Sequence, residues 1–226
     1  MIGLRGQLFE MLVEPGVAPD DLRQRVLAAV QSGERPRRMT FEEFLAWADE
    51  DTHAEWVDGE VRMSSPASDE HQDIARFFTV ILSAYVEVHH LGIIRPAPFQ
   101  MRLAQSSREP DLIFLANAHL DRRTPTYLAG PADVVVEILS PESATRDRGD
   151  KFFEYEAAGI PEYWLIDPLR QQAEFYQLSA DGHYRPALPE AEGCFTSQAI
   201  PGFTLRVAWL WQRPTVLEAL RELRIV

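Results

Sequence analysis

The chain has 226 residues, 46% of them hydrophobic, and a single cysteine, Cys194. It can bury one substantial core and has neither a disulfide framework nor a cysteine-based zinc site. A formal charge of −13 opposes loose attraction to a polyanion, and no apolar run reaches the roughly 18–20 residues of a membrane span. With no basic-then-apolar leader pattern in residues 1–10, a cytoplasmic protein away from membranes is expected.

Residues 1–38 read as an N-terminal extension with a short helix near residues 20–30 and a basic link, Arg35-Pro36-Arg37-Arg38. Residues 39–212 read as the main domain and residues 213–226 as a C-terminal helix. The main domain opens with Thr40 and, three residues on, Glu43, a capping box; Met39 and Phe44 fit a hydrophobic staple, and the helix should run to about Ala48. After acidic residues 49–51, Asp58-Gly59 sits between two short alternating runs and predicts a two-residue hairpin turn, with Glu55 and Glu60 on its arms. A long helix is expected from Ser68, because Ile74, Phe77, Phe78, Ile81, Leu82, Tyr85 and Val86 recur on one helical face. Gly92 stands where a helix-terminating glycine belongs. Strands are expected over residues 99–103, 112–115, 134–139, 163–166 and 173–178, and helices over 147–158 and 214–224. A hairpin first and strand–helix–strand later predict an α/β or α+β fold with a mixed central sheet flanked by helices.

The run Val134-Val-Val-Glu-Ile-Leu139 reads as a strand buried on both faces, yet it contains Glu137. A lone buried carboxylate costs several kcal/mol, so an arginine, a raised pKa or a metal ion must compensate. A second carboxylate, Asp111, follows Pro110 at the start of another apolar strand. Lys151 is the only lysine among 22 basic residues. It reads either as a solvated partner of Asp147 at i,i+4 or as a compact ammonium kept for chemistry that a guanidinium cannot do. Two carboxylates and a lysine make a hard, oxygen-rich site suited to Mg²⁺ or Mn²⁺ and to phosphodiester hydrolysis.

Six pieces occur in order: Glu55-Trp-Val-Asp-Gly-Glu60; His71-Gln72 opening a long helix; Pro110-Asp111; Val136-Glu-Ile-Leu-Ser-Pro141; Asp147-Arg-x-x-Lys151-x-x-x-Tyr155-x-x-x-Gly159; and Pro161-Glu-Tyr-Trp-x-x-Asp-Pro168. Together, over about residues 39–210, they closely resemble the Uma2 family of restriction-endonuclease-like proteins. The resemblance implies the PD-(D/E)XK nuclease fold, with a divalent metal at the edge of a mixed sheet. It implies Asp111 and Glu137 as the acidic pair, the backbone carbonyl of Ile138 as a further metal ligand, and Lys151 as the lysine, displaced from the strand to the next helix. Position 139 is Leu, so the literal E-x-K is absent. Glu55, Glu60 and His71 match recurrent positions expected at the edge of the site, and Ala54 replaces an aromatic residue. His71 reads equally as a helix-start histidine, and Tyr155 as a group orienting Lys151 or as core. The His89-His90 pair reads as a cationic helix end. Trp164, Trp209 and Trp211 read as core or subunit interface rather than as base-stacking platforms.

The first expectation is therefore a metal-dependent endonuclease hydrolysing DNA by in-line attack of a metal-activated water, with a homodimer to address two strands. DNA contact would fall to Arg95, Arg102, Arg108, Arg122, Arg123, Arg146 and Arg148. The alternative is a catalytically inactive nuclease fold serving binding or assembly, with Glu137 held by an arginine or histidine. A two-carboxylate glycosidase gives Lys151 no role.

Overall fold

The computed structural model describes residues 38–48, 52–63 and 66–226. The helix expected near residues 20–30, the rest of the extension before Arg38, and acidic residues 49–51 lie outside the described residues. In chain order the elements are α1 Phe41–Trp47, β1 Ala54–Val57, β2 Glu60–Met63, α2 Asp69–Val88, β3 Gly92–Pro96, β4 Gln100–Arg102, β5 Ser106–Arg108, β6 Leu112–Ala116, β7 Tyr127–Ala129, β8 Val134–Ile138, α3 Ala144–Arg146, a single π-helical turn Asp147–Lys151, α4 Phe152–Ala157, β9 Glu162–Asp167, β10 Gln172–Leu178, β11 Tyr184–Pro186, β12 Cys194–Thr196, β13 Thr204–Arg206, α5 Trp209–Gln212 and α6 Val216–Glu222. The chain divides into two compact units, one reaching Pro66 and including Arg102–Glu109, the other Ala67–Met101 with Pro110–Val226.

In the first unit the capping box forms: the Thr40 hydroxyl accepts the Glu43 N–H at 3.1 Å, and the Glu43 carboxylate accepts the Thr40 N–H at 2.8 Å. Asp58 (φ 50°) and Gly59 (φ 89°) turn the chain from β1 into β2, pairing Val57 with Glu60. Both central residues at positive φ make the hairpin turn whose twist matches its strands. β5 pairs with the other edge of β1, Trp56 opposite Ser107. Phe41 packs on Phe44 and Trp56, the Trp56 indole donates to the Met39 carbonyl at 2.7 Å, and the Arg102 guanidinium lies 4.4 Å over Phe41 and 4.6 Å over Trp56. Arg108 and Glu55 form a buried ion pair at 3.1 Å. This corrects one expectation: with 2% of its surface exposed, Arg108 is a structural cation and cannot contact a nucleic acid.

The second unit is built on a six-stranded sheet of order β11-β10-β9-β8-β6-β3, in which β8 and β9 run parallel and every other pair antiparallel. A parallel pair needs a long crossover. Here α3, the π-turn and α4 supply it. The helix α2 lies on one face and packs on β3, β8 and α6, burying the seven apolar residues whose spacing defines its stripe. Val134, Val136 and Ile138 of β8 join that core together with Trp164, Phe175, Phe195 and Phe203. Trp164 is fully buried, and Trp209 packs edge-on against Phe77 in the same core. No helix among the described residues is long and apolar enough to cross a membrane.

Three local expectations change. Gly92 does not end α2: His89 is the C-cap, and His90 takes the left-handed conformation at φ 53°. The Leu91 N–H then bonds back to the Val86 carbonyl and the His90 N–H to Glu87, a Schellman closure. Gly92 instead begins β3, an unexpected strand, and is needed for close approach, since a Cβ there would stand 2.1 Å from the Leu115 carbonyl oxygen. The helix expected over 147–158 starts at Ala144 and is interrupted by the π-turn.

Candidate active site

Strand register creates the site. β6 and β8 are antiparallel with Leu112 opposite Val136, which brings Asp111, one residue before β6, to the end of β8 that carries Glu137 and Ile138. Side chains alternate along β8, so with Val136 and Ile138 committed to the α2 core, Glu137 points to the opposite face, toward the crossover.

Asp111 is half-buried and fully engaged. Its Oδ2 accepts the Ile138 N–H at 2.6 Å, and its Oδ1 lies 2.9 Å from His71 Nε2. His71 arrives from the first turn of α2, where the Ser68 hydroxyl accepts its N–H. Burial of the ring disfavours its charge, but the hydrogen bond and charge of Asp111, a hydrogen bond to the Ile138 backbone and the field of Asp147 outweigh that and hold His71 above 6.5. A folded pKa raised above its unfolded value contributes stability that is complete below about pH 6.5 and is lost as pH rises through the folded value. His71→Gln is expected to remove this increment. In urea titrations across about pH 5–8, the wild-type midpoint should fall toward alkaline pH relative to the variant's, and parallel curves would disprove the linkage.

Glu137 is 4% exposed. Its Oε1 accepts hydrogen bonds from Lys151 Nζ at 2.8 Å and from the Tyr155 hydroxyl at 2.9 Å. Lys151, 3% exposed, also faces Asp147 Oδ1 at 3.3 Å. The Asp147–Lys151 pair, readable as a solvated surface pair, is instead buried. The Asp147 carbonyl accepts the Tyr163 hydroxyl at 3.1 Å. Burial, reinforced by the charge of Glu137 and by Tyr155 and Asp147, pushes Tyr163 well above the usual tyrosine range, so it stays a neutral donor. The partners that compensate Glu137 include a lysine and a tyrosine.

The structure brings Asp111, His71, Ile138, Glu137, Lys151 and Tyr155 to one end of β8. Glu55 and Glu60 belong to the other unit, where Glu55 pairs with Arg108 and Glu60 lies 4.0 Å from Arg62. Sequence reading did not count Asp147 among the site residues, although its field reaches both His71 and Tyr163. The signal was the spacing 147, 151, 155, a polar stripe on one side of the crossover. Arg148 is spent on Asp167 and Glu174 at 2.9 and 2.7 Å.

Among the described residues, no three His, Cys, Asp or Glu side chains are grouped as a ready-made cation cage. Carboxylates and a main-chain carbonyl are the class of oxygen donor that hard cations such as Mg²⁺ or Mn²⁺ take, together with waters and substrate phosphate. Charge agrees with this: Asp111, Glu137 and Asp147 outnumber Lys151 and His71, and Asp147 Oδ1 is buried without a hydrogen-bond donor.

A family model described as "Putative restriction endonuclease", Uma2, matches residues 41–208. No curated protein matches. Among solved structures, the chain is similar to one described as a "putative nuclease belonging to DUF820" from Anabaena variabilis ATCC 29413, with a TM-score of 0.67 and 17% identity, covering 77% of this chain and 98% of that one. At that identity the likeness establishes the fold.

Proposed function

The chain belongs to the Uma2 family of restriction-endonuclease-like proteins, and from that premise we propose that it is a Mg²⁺- or Mn²⁺-dependent endonuclease hydrolysing phosphodiester bonds of DNA. The observation that carries this reading is Asp111 bonded to the Ile138 N–H, next along β8 to Glu137, with the sole lysine bonded to Glu137.

Asp111, Glu137 and the Ile138 carbonyl would hold the cation. When bound, it supplies acidification of a water and neutralisation of phosphoryl charge. The Lys151 ammonium would offset the negative charge developing at phosphorus as water attacks in line with the leaving oxygen. Tyr155 shares Glu137 Oε1 with Lys151 and keeps both oriented, and His71 aligns Asp111. With −13 overall, attraction to DNA rests on local arginines and falls steeply with salt; a homodimer would present two sites to two strands.

Calorimetric titration of Mn²⁺ and Mg²⁺ into the wild type, Asp111→Asn and Glu137→Gln tests the reading, followed by plasmid nicking. Saturable binding by the wild type, lost in both variants, is expected. Nicking should fall about a hundredfold to a thousandfold in these and in Lys151→Ala. Absence of saturable binding up to about millimolar metal overturns the reading, since sites of this type work at such concentrations.

A further inference from the structure

The Lys151 ammonium lies between two buried carboxylates that it treats unequally. It hydrogen-bonds to Glu137 Oε1 at 2.8 Å, an oxygen that also accepts the Tyr155 hydroxyl. It faces Asp147 Oδ1 at 3.3 Å, an oxygen that accepts no hydrogen bond. Asp147 is 1% exposed, so water does not readily satisfy that oxygen. Its position is well supported: the Tyr163 hydroxyl holds the Asp147 carbonyl, and the Asp147 N–H bonds to the Ser143 carbonyl at 2.9 Å. The π-turn that begins at Asp147 ends at Lys151. Such turns recur at functional sites because the extra residue re-aims side chains without ending the helix.

We infer that Asp147 is a positioning residue, the second seat of the Lys151 ammonium, which takes the ammonium over from Glu137 when Glu137 engages a cation. This rests on the metal-dependent reading above and deepens it. A carboxylate that already holds an ammonium is a poor cation ligand, because the two positive charges repel. An open, buried acceptor beside the ammonium lets Lys151 move by a side-chain rotation while remaining ion-paired. Without it, the ammonium stays on Glu137, and cation binding must compete with it directly.

Lys151 is the only lysine, so protein labelled with ¹⁵N-lysine has a single side-chain Nζ signal. In the wild type that signal is expected to shift saturably as Mg²⁺ is added. By calorimetry, Asp147→Asn is expected to bind Mg²⁺ about tenfold more weakly. In a Lys151→Gln background, which leaves a neutral donor for Glu137, adding Asp147→Asn should change Mg²⁺ affinity less than twofold. A tenfold loss that persists in the Lys151→Gln background would mean that Asp147 acts on the cation directly and overturns the inference. So does wild-type affinity in Asp147→Asn. Should that variant not fold, a wild-type Nζ signal unmoved at saturating Mg²⁺ overturns it as well. Wild-type protein that binds neither Mg²⁺ nor Mn²⁺ removes the metal-dependent reading itself, a result distinct from normal binding with an unresponsive lysine.

Discussion

Lys151→Met is expected to lower the free energy of unfolding by about 3–5 kcal/mol, among the largest effects available to one surface-neutral change in volume. The partners Glu137 and Lys151 are 4% and 3% exposed, so neither charge has water to fall back on. Methionine fills the space of the lysine stem but takes the charged donor from Glu137, which keeps the Tyr155 hydroxyl, and deprives Asp147 of its facing cation. Breaking one side of a buried ion pair exposes the full desolvation penalty of the other. Lys151→Met combined with Glu137→Leu should recover only part of the loss. Replacing both members of a buried pair is commonly neutral or stabilising, but here Asp147 remains as a third, unpaired charge. Adding Asp147→Asn should recover most of the rest. Urea unfolding of the single, double and triple variants measures the series, and a single variant within about 1 kcal/mol of wild type would disprove a tightly coupled triad.

Much of this centre is visible in the amino-acid order for one physical reason: a charge inside a β-branched run is costly and therefore conspicuous. Glu137 and the lone lysine stand out on that ground, and Asp111 less so, because an aspartate after proline also fits an ordinary turn. The approach of Asp111 to the Ile138 N–H beside Glu137 depends on the register of β6 against β8, a contact between residues 27 positions apart, which local periodicity does not encode. The π-turn is invisible for a related reason. Residues 147, 151 and 155 share one side in a regular α-helix too, so the pattern is the same with or without the extra residue. The role of Gly92 is ambiguous in the sequence because a glycine after an apolar helix serves a cap or a close backbone approach equally well; His90 takes the left-handed position, and the Leu115 carbonyl requires the glycine. The three-residue strands β12 and β13 have too few positions to show an alternation.

A buried glutamate in a strand does not by itself mark chemistry, and the same sheet holds the example. Glu162 opens β9 at 1% exposure, yet its needs are met by neutral donors: Trp164 Nε1 at 3.0 Å and the Ser197 hydroxyl at 2.8 Å on one oxygen, Gln177 Nε2 and the Gln198 and Ala199 N–H groups on the other. Such an arrangement fixes a chain crossing. It ties β9 to the segment that leads from β12 into the turn before β13, whose Phe195 stacks on Phe175 in the core. Glu162→Gln is expected to cost about 2–5 kcal/mol, because the new amide presents N–H groups to donors and leaves at least one buried donor unsatisfied, at about 1–3 kcal/mol each. Hydrogen exchange should rise first in residues 194–206, since that segment loses its anchor while the β8–β9 pairing is untouched. Mg²⁺ affinity, by contrast, should match wild type, whereas Glu137→Gln should abolish it. Two isosteric substitutions on neighbouring strands thus separate a carboxylate that holds the fold from one proposed to hold a cation. Loss of Mg²⁺ binding in folded Glu162→Gln would erase that distinction and require the sheet's two buried glutamates to act as one coupled unit.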